Sequence, residues 1–270
     1  RVYLTGGVPP VFWSAEELYE ATYPHVRLKN QRLFEHLPHV RTMARAIADH
    51  LHTHEESLPN GQRFTPEQFQ LLGIGLGRSR AHVPMAFLLE DAFVHPPSGR
   101  RLSYAFGDAM LARQSTQTNP IYALLHEAIY CDRGQASRWA AHRVRRRFPE
   151  FDDAPGAPFW FTGEMIYPWM FDQLKNLEPL KEAAEMLAVK DDWGPLYDPE
   201  QLAKNTVPLA CMVYAEDMYV DANFSQQVLA KVPRSRAWIS NEYEHNGIGV
   251  DGDRILSRLM TMADDIARLP

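Results

Sequence analysis

Two apolar runs in the last quarter of the chain each break into a residue that could orient or move a proton. Val207-Pro208-Leu209-Ala210-Cys211-Met212-Val213-Tyr214 ends at Glu216-Asp217, and Ala237-Trp238-Ile239 leads to Glu244-His245-Asn246-Gly247. A carboxylate that accepts a hydrogen bond from an imidazole sets its tautomer, orients the ring and stabilises the imidazolium. The other ring nitrogen is then free to act as a base. Asp217 and His245 are 28 residues apart. That is room for a strand end, one helix and a second strand, so both side chains can emerge at one edge of a parallel sheet. Asp221 rivals Asp217 as the acid; Asp217 is preferred because it follows the apolar strand directly. In a hydrolase such a dyad activates a serine. Taken alone, the pair reads equally as two ordinary polar loop residues.

Other clusters point to less chemistry. His50, His52 and His54 stand in DHLHTHEE near a helix end. Spacings of two turn their rings to different faces, so a shared metal is not expected. Gly73, Gly75 and Gly77 in LLGIGLGRS lack the preceding strand and the following Lys-Ser/Thr of a phosphate loop, and close packing is the expected use. Arg143-Val144-Arg145-Arg146-Arg147 reads as a solvated helix face. Cys131 and Cys211 sit in apolar surroundings and read as buried free thiols, which suits a reducing, cytoplasmic setting. No cofactor is called for.

The elements that would position the dyad alternate strand and helix only at the ends of the chain. With 270 residues, 45% of them hydrophobic, there is enough material for a large core in one domain or two smaller ones. The net charge of −6, with interspersed signs, gives no reason to expect nucleic acid. No apolar run is long enough to span a membrane. Val2–Thr5 reads as a buried strand closed by Gly6-Gly7 and Pro9-Pro10. Its abrupt start, without methionine, implies that a segment precedes it. Ser14-Ala15-Glu16-Glu17 is a capping box, and Leu33, Leu37, Val40, Met43, Ile47 and Leu51 continue one helical stripe to about Leu58. Helices are expected over Ala81–Phe93, Tyr104–Ala112, Ala136–Phe148 and Leu177–Val189, with a loop from His95 to Gly99. Residues 11–200 contain no convincing strand. In NPIYALLHEAIYC, Tyr122, Leu125, Ile129 and Ala128 are expected on one helical face, with Glu127 among apolar and aromatic neighbours. Phe224–Val232 and Asp251–Leu269 read as the closing helices. The C-terminal alternation implies parallel strands, with site residues at their carboxyl ends.

LTGGVPP, NPIYALLHEAIYC, FTGEMIYPWMF, AEDMYVD and NEYEHNG, in that order over essentially the whole chain, resemble the C-terminal portion of proline iminopeptidases (prolyl aminopeptidases), serine peptidases of the α/β-hydrolase fold. The resemblance is closest to a longer bacterial branch. It implies an α/β fold with three parts: residues 1–10 as the core strand after the nucleophile elbow, 11–200 as a helical cap, and 201–270 as the end of the core. It implies Asp217 and His245 as triad acid and base. Glutamates near the cap would bind the substrate's free amine, with Glu127 and Glu164 as candidates and Glu216 as a third. Tyr130, Tyr167 and Trp169 would hold the pyrrolidine ring. A cationic imino group needs carboxylates and an apolar ring needs a slot.

One departure is large. No Gly-x-Ser-x-Gly occurs in the sequence. Ser79 and Ser115 lack a glycine elbow, and Ser225 and Ser257 fall in helices. The expected activity is therefore release of N-terminal proline from peptides by an intact protein, with these 270 residues inactive alone and completed by the missing N-terminal segment. The alternatives are another α/β-hydrolase (esterase, amidase or epoxide hydrolase) and a non-catalytic fragment that completes a partner chain.

Overall fold

The structure, a computed structural model, describes residues 1–97, 99–114, 116 and 118–269. Ser115, weighed above as a nucleophile, and Ser98 of the expected 95–99 loop lie outside them.

A parallel three-stranded sheet carries the dyad. Its order is β1 (Val2–Leu4), β6 (Leu209–Tyr214), β7 (Ser235–Ser240), in register from Val2 opposite Leu209 to Tyr214 opposite Ser240. β6 is central and buried on both faces, which is why it reads as a continuous apolar run. Its alternate residues split between two layers. Ala210, Met212 and Tyr214 pack with Trp238 under Ile255, Leu259 and Ala263 of α13 (Gly252–Ala267). Cys211 and Val213 face Val228 and Leu229 of the crossover helix α11 (Ala222–Leu229). β1 differs from expectation: as an edge strand it leaves Val2 and Tyr3 each 37% exposed.

Between β1 and β6 runs the helical section. The capping box forms as expected: Glu17 N–H donates to Ser14 Oγ, and Ser14 N–H donates to Glu17 Oε2. It starts α1 (Ala15–His36). The predicted single stripe to Leu58 is in fact two helices, α1 and α2 (Pro38–Thr53). Leu37 precedes a proline, which disfavours the helical basin, and it sits at φ −134°, ψ 74°. Pro38 then opens α2. Two short hairpins were also not anticipated: β2 (Glu56–Ser57) with β3 (Arg63–Phe64), and β4 (Phe93–Val94) with β5 (Arg101–Leu102). Each strand is two residues long, too short to show a period of two.

Further along come α3 (Pro66–Gln70), a 3-10 turn over Leu71–Gly77, α4 (His82–Glu90), α5 (Tyr104–Arg113) and α6 (Pro120–Leu125). After them lie α7 (Ala140–Arg145), α8 (Met170–Gln173), α9 (Lys181–Val189) and α10 (Pro199–Leu202); α12 (Gly247–Val250) precedes α13. The expected basic helix over 136–148 shrinks to α7 because Arg138 and Trp139 have positive φ. The arginines of the run are a solvated face only in part: Arg146 and Arg147 are exposed, while Arg143 and Arg145 are half-buried. Arg143 and Arg147 both grip Glu16 at 2.8 and 2.6 Å, and Arg145 donates to Gln70 and to the Phe151 carbonyl. Leu125 and Ile129 are exposed; the inward side of that segment is Ala123, His126 and Glu127.

Phe159, Phe161, Tyr167 and Phe171 of the aromatic segment enter one core with Tyr23, Phe69 and Phe151. Two of the three glycines are used for close approach, while Gly75 faces open space. A Cβ on Gly73 would lie 2.1 Å from the Thr162 carbonyl oxygen, and one on Gly77 would lie 2.3 Å from the Tyr219 ring. His50 bonds Glu56, and His52 bonds Asp153. Both cysteines are buried free thiols, and burial pushes Cys211 to about 12. Among the described residues no helix is long and apolar enough to cross a membrane.

Candidate active site

Asp217 and His245 meet as their positions at two strand ends require. Asp217 is 2% exposed. One of its oxygens, Oδ1, accepts the backbone N–H groups of Tyr219 and Val220 at 2.8 and 3.2 Å. The other, Oδ2, lies 2.7 Å from His245 Nδ1. With one oxygen held by the turn, the carboxylate aims the other at the imidazole. The hydrogen bond to Asp217 raises the His245 pKa above its ordinary value, against burial, which pulls it down. The ring stands edge-on to Tyr219, 5.0 Å between centroids. Gly6, at the end of β1, lies against it: an added Cβ would come within 3.3 Å of Cε1. Nε2 makes no hydrogen bond to another described residue, and His245 borders an open cavity of about 610 Å3. The rival Asp221 has a different job. Its Oδ1 caps α11 through Asn223 and Phe224, and its Oδ2 meets His25 at 3.0 Å.

One face of α1 secures both loops, an arrangement the sequence reading missed. His25, Lys29 and Arg32 are spaced by four and three, hence on one side of the helix. They pair in turn with Asp221, Glu244 and Glu216. Those carboxylates flank the dyad: Glu216 precedes Asp217, and Glu244 precedes His245. Lys29 is 1% exposed and reaches both Glu244 oxygens at 2.7 and 2.6 Å. Arg32 holds Glu216 bidentately and lowers its pKa. Glu216 is thus committed to Arg32 and is not presented to the cavity. A row of basic residues at i, i+4 and i+7 next to two strand-end acids was the readable signal.

The cavity beside His245 is walled on the helical side by Glu164, with Leu72, Ile74 and Met85. Glu164 is half-buried, and Tyr122 donates its hydroxyl to Oε1 at 2.5 Å. Tyr122, His126 and Tyr130, four apart, form an aromatic row with ring centroids 5.1 and 5.7 Å apart. Burial holds the His126 pKa down. The Tyr19 hydroxyl is buried without a hydrogen-bond partner among the described residues, and its pKa is raised by burial and by the charges of Glu127, Tyr130 and Glu164.

Of the other expected substrate residues, Glu127 has both oxygens engaged. The N–H groups of Ala140 and Ala141 donate to them at 3.0 and 2.9 Å, so the carboxylate caps the first turn of α7. Desolvation raises its pKa. Tyr130 borders a second cavity of about 260 Å3, with Gly6, Gly7 and Tyr219. Tyr167 is fully buried. Its hydroxyl meets that of Tyr23 at 3.0 Å, and its ring stacks on Trp169. Neither Tyr167 nor Trp169 borders the cavity beside His245. Ser79 does, but it lies in the loop before α4, and its Oγ accepts the Glu244 N–H at 3.2 Å.

Known proteins resemble this chain over nearly its whole length. The chain is 54% identical over 265 residues to a proline iminopeptidase of Aeromonas sobria, covering 98% of this chain and 61% of that protein. It is 28% identical over 270 residues to a proline iminopeptidase of Aspergillus aculeatus, covering 98% of this chain and 59% of that protein. The chain thus spans about three fifths of the length of the curated relatives it matches. No family model matches it.

Proposed function

We propose, for a chain that belongs to the proline iminopeptidase family, that it supplies the acid, the base and the amine-binding wall of an α/β-hydrolase that releases N-terminal proline from peptides. Residues 11–200 act as its cap, and the nucleophilic serine stands on the part of the relatives' length that these residues do not span. The observation that carries this reading is the Asp217–His245 hydrogen bond of 2.7 Å. It lies at the carboxyl ends of adjacent parallel strands, where such sheets place their sites.

In this mechanism His245 Nε2 takes the serine proton as the oxygen attacks the prolyl carbonyl. The imidazolium, stabilised by ionised Asp217, then gives that proton to the departing amine. Water, deprotonated by the same nitrogen, cleaves the acyl-enzyme and frees proline. Glu164 accepts the substrate's cationic imino group, with Tyr122 holding one carboxylate oxygen in place. Glu127 supports this wall by fixing the start of α7, and Tyr130 offers an apolar face to the pyrrolidine ring. Glu216 acts through Arg32 on the Asp217 loop rather than on substrate.

Two measurements test the reading. The purified 270-residue chain should not turn over a proline arylamide; turnover lost on His245→Ala would place the nucleophile within these residues. Calorimetric titration should show L-prolinamide binding that Glu164→Gln abolishes and N-acetylation of the ligand prevents. Equal binding of the blocked ligand would remove the aminopeptidase reading.

A further inference from the structure

The cavity beside His245 carries more positive charge than an amine site needs. Its charged lining, apart from His245, consists of Glu164 and three arginines, Arg78, Arg80 and Arg113. Glu164 can balance one cationic amine, which leaves the three guanidinium groups without a counter-charge in the cavity. Most other arginines near acidic side chains are paired, such as Arg32 with Glu216 and Arg143 with Glu16. Arg78 and Arg80 have no carboxylate partner among the described residues, and Arg113 donates only to the Ala109 carbonyl of its own helix.

The loop bearing Arg78 and Arg80 is built onto the dyad. His245 N–H donates to the Gly77 carbonyl at 3.1 Å. Ser79 N–H donates to Asn246 Oδ1 at 2.8 Å, and Glu244 N–H donates to Ser79 Oγ at 3.2 Å. The two arginines therefore flank a serine fixed to both neighbours of His245. Arg80 sits at φ 64°, a costly conformation for a residue with a side chain. The positive charge of Arg78 also acts on His245, lowering its pKa against the Asp217 effect.

We propose that Arg78 and Arg80, with Arg113 on the same cavity, bind the C-terminal carboxylate of short peptides, so that the site selects di- and tripeptides with a free carboxyl end. This rests on the function proposed above. With the imino group on Glu164 and the scissile carbonyl at His245 Nε2, the leaving residues must run onward through the cavity. Each adds at most about 3.3–3.6 Å, so the terminal carboxylate of one or two residues stays in the neighbourhood of the loop tied to His245. Guanidinium groups match a carboxylate bidentately. A longer peptide carries its carboxylate past them, and an amidated one has no charge to offer.

The test compares L-prolinamide, Pro-Gly-Gly and Pro-Gly-Gly amide as ligands of the 270-residue chain by calorimetry. The free acid should bind about tenfold tighter than its amide, the scale of one charge-assisted contact, and added salt should shrink that ratio. In Arg78→Ala/Arg80→Ala the ratio should fall to near one, and in Arg78→Lys/Arg80→Lys it should be kept in part. The salt series needs no variant, so it stands even if a variant misfolds. Equal binding of acid and amide by the unaltered chain, with prolinamide bound, overturns this inference and leaves the proposed function standing. Binding of none of the three overturns both.

Discussion

Lys29→Met probes the ion pair that fixes the His245 loop to α1. Met has similar length and leaves no cavity, so the change removes charge rather than volume. Lys29 is 1% exposed, with both Glu244 oxygens within 2.7 Å. Removing one partner of a fully buried pair costs about 3–5 kcal/mol, because the other charge is stranded. Glu244 retains 26% side-chain exposure, so water can take over part of the lost contact. The cost should fall to about 2–3 kcal/mol, and for a chain of this size that lowers the melting temperature by roughly 5–10 °C. The assay is thermal and urea unfolding of Lys29→Met, Glu244→Gln and the double variant. If the charges stabilise each other, the double variant loses less than the sum of the singles by at least about 1 kcal/mol. Additive losses, or a loss below about 0.5 kcal/mol for Lys29→Met, would refute the claim that this pair anchors the loop.

Three further outcomes follow from the same geometry. His245 should titrate above its ordinary value in the unaltered chain and drop in Asp217→Asn, where the largest raising influence is gone and desolvation and Arg78 pull down against Glu164 alone, as read from imidazole NMR shifts. Because the folded-state value is raised, its contribution to stability is complete below the unfolded pKa and is lost as pH rises through the folded one; Asp217→Asn should remove that dependence from an unfolding series. Gly73→Ala drives a Cβ to 2.1 Å from the Thr162 carbonyl and should cost about 1–3 kcal/mol in urea unfolding. Glu127→Ala strands the buried Ala140 and Ala141 N–H groups and should destabilise by about 2–6 kcal/mol at 1–3 kcal/mol for each unsatisfied donor.

Local patterns were legible where one interaction decides the outcome. The Ser14 cap, the double-sided burial of β6, and Asp217 and His245 at strand ends all follow from side-chain type and spacing. Glu164 could be picked out as a carboxylate in an aromatic stretch, but its tie to Tyr122 joins residues 42 apart, which no local window sees. The break at Leu37 was readable in Pro38, yet the apolar stripe running across it masked the signal. The two hairpins are too short to carry a period. Glu127 looked like a ligand because a buried carboxylate without a visible partner reads as functional; its partners are backbone N–H groups, which have no sequence signature. The basic residues of α1 were visible, but their meaning depended on tertiary pairing with Asp221, Glu244 and Glu216.

The central claim is that Asp217, His245 and Glu164 form one site for a free N-terminal proline. The most direct measurement follows the His245 imidazole resonances of the 270-residue chain during titration with L-prolinamide and with N-acetyl-L-prolinamide. The account predicts a saturable shift of the His245 signals with the free amine alone, lost in Glu164→Gln. Identical shifts from both ligands, or a shift that survives Glu164→Gln, would contradict it.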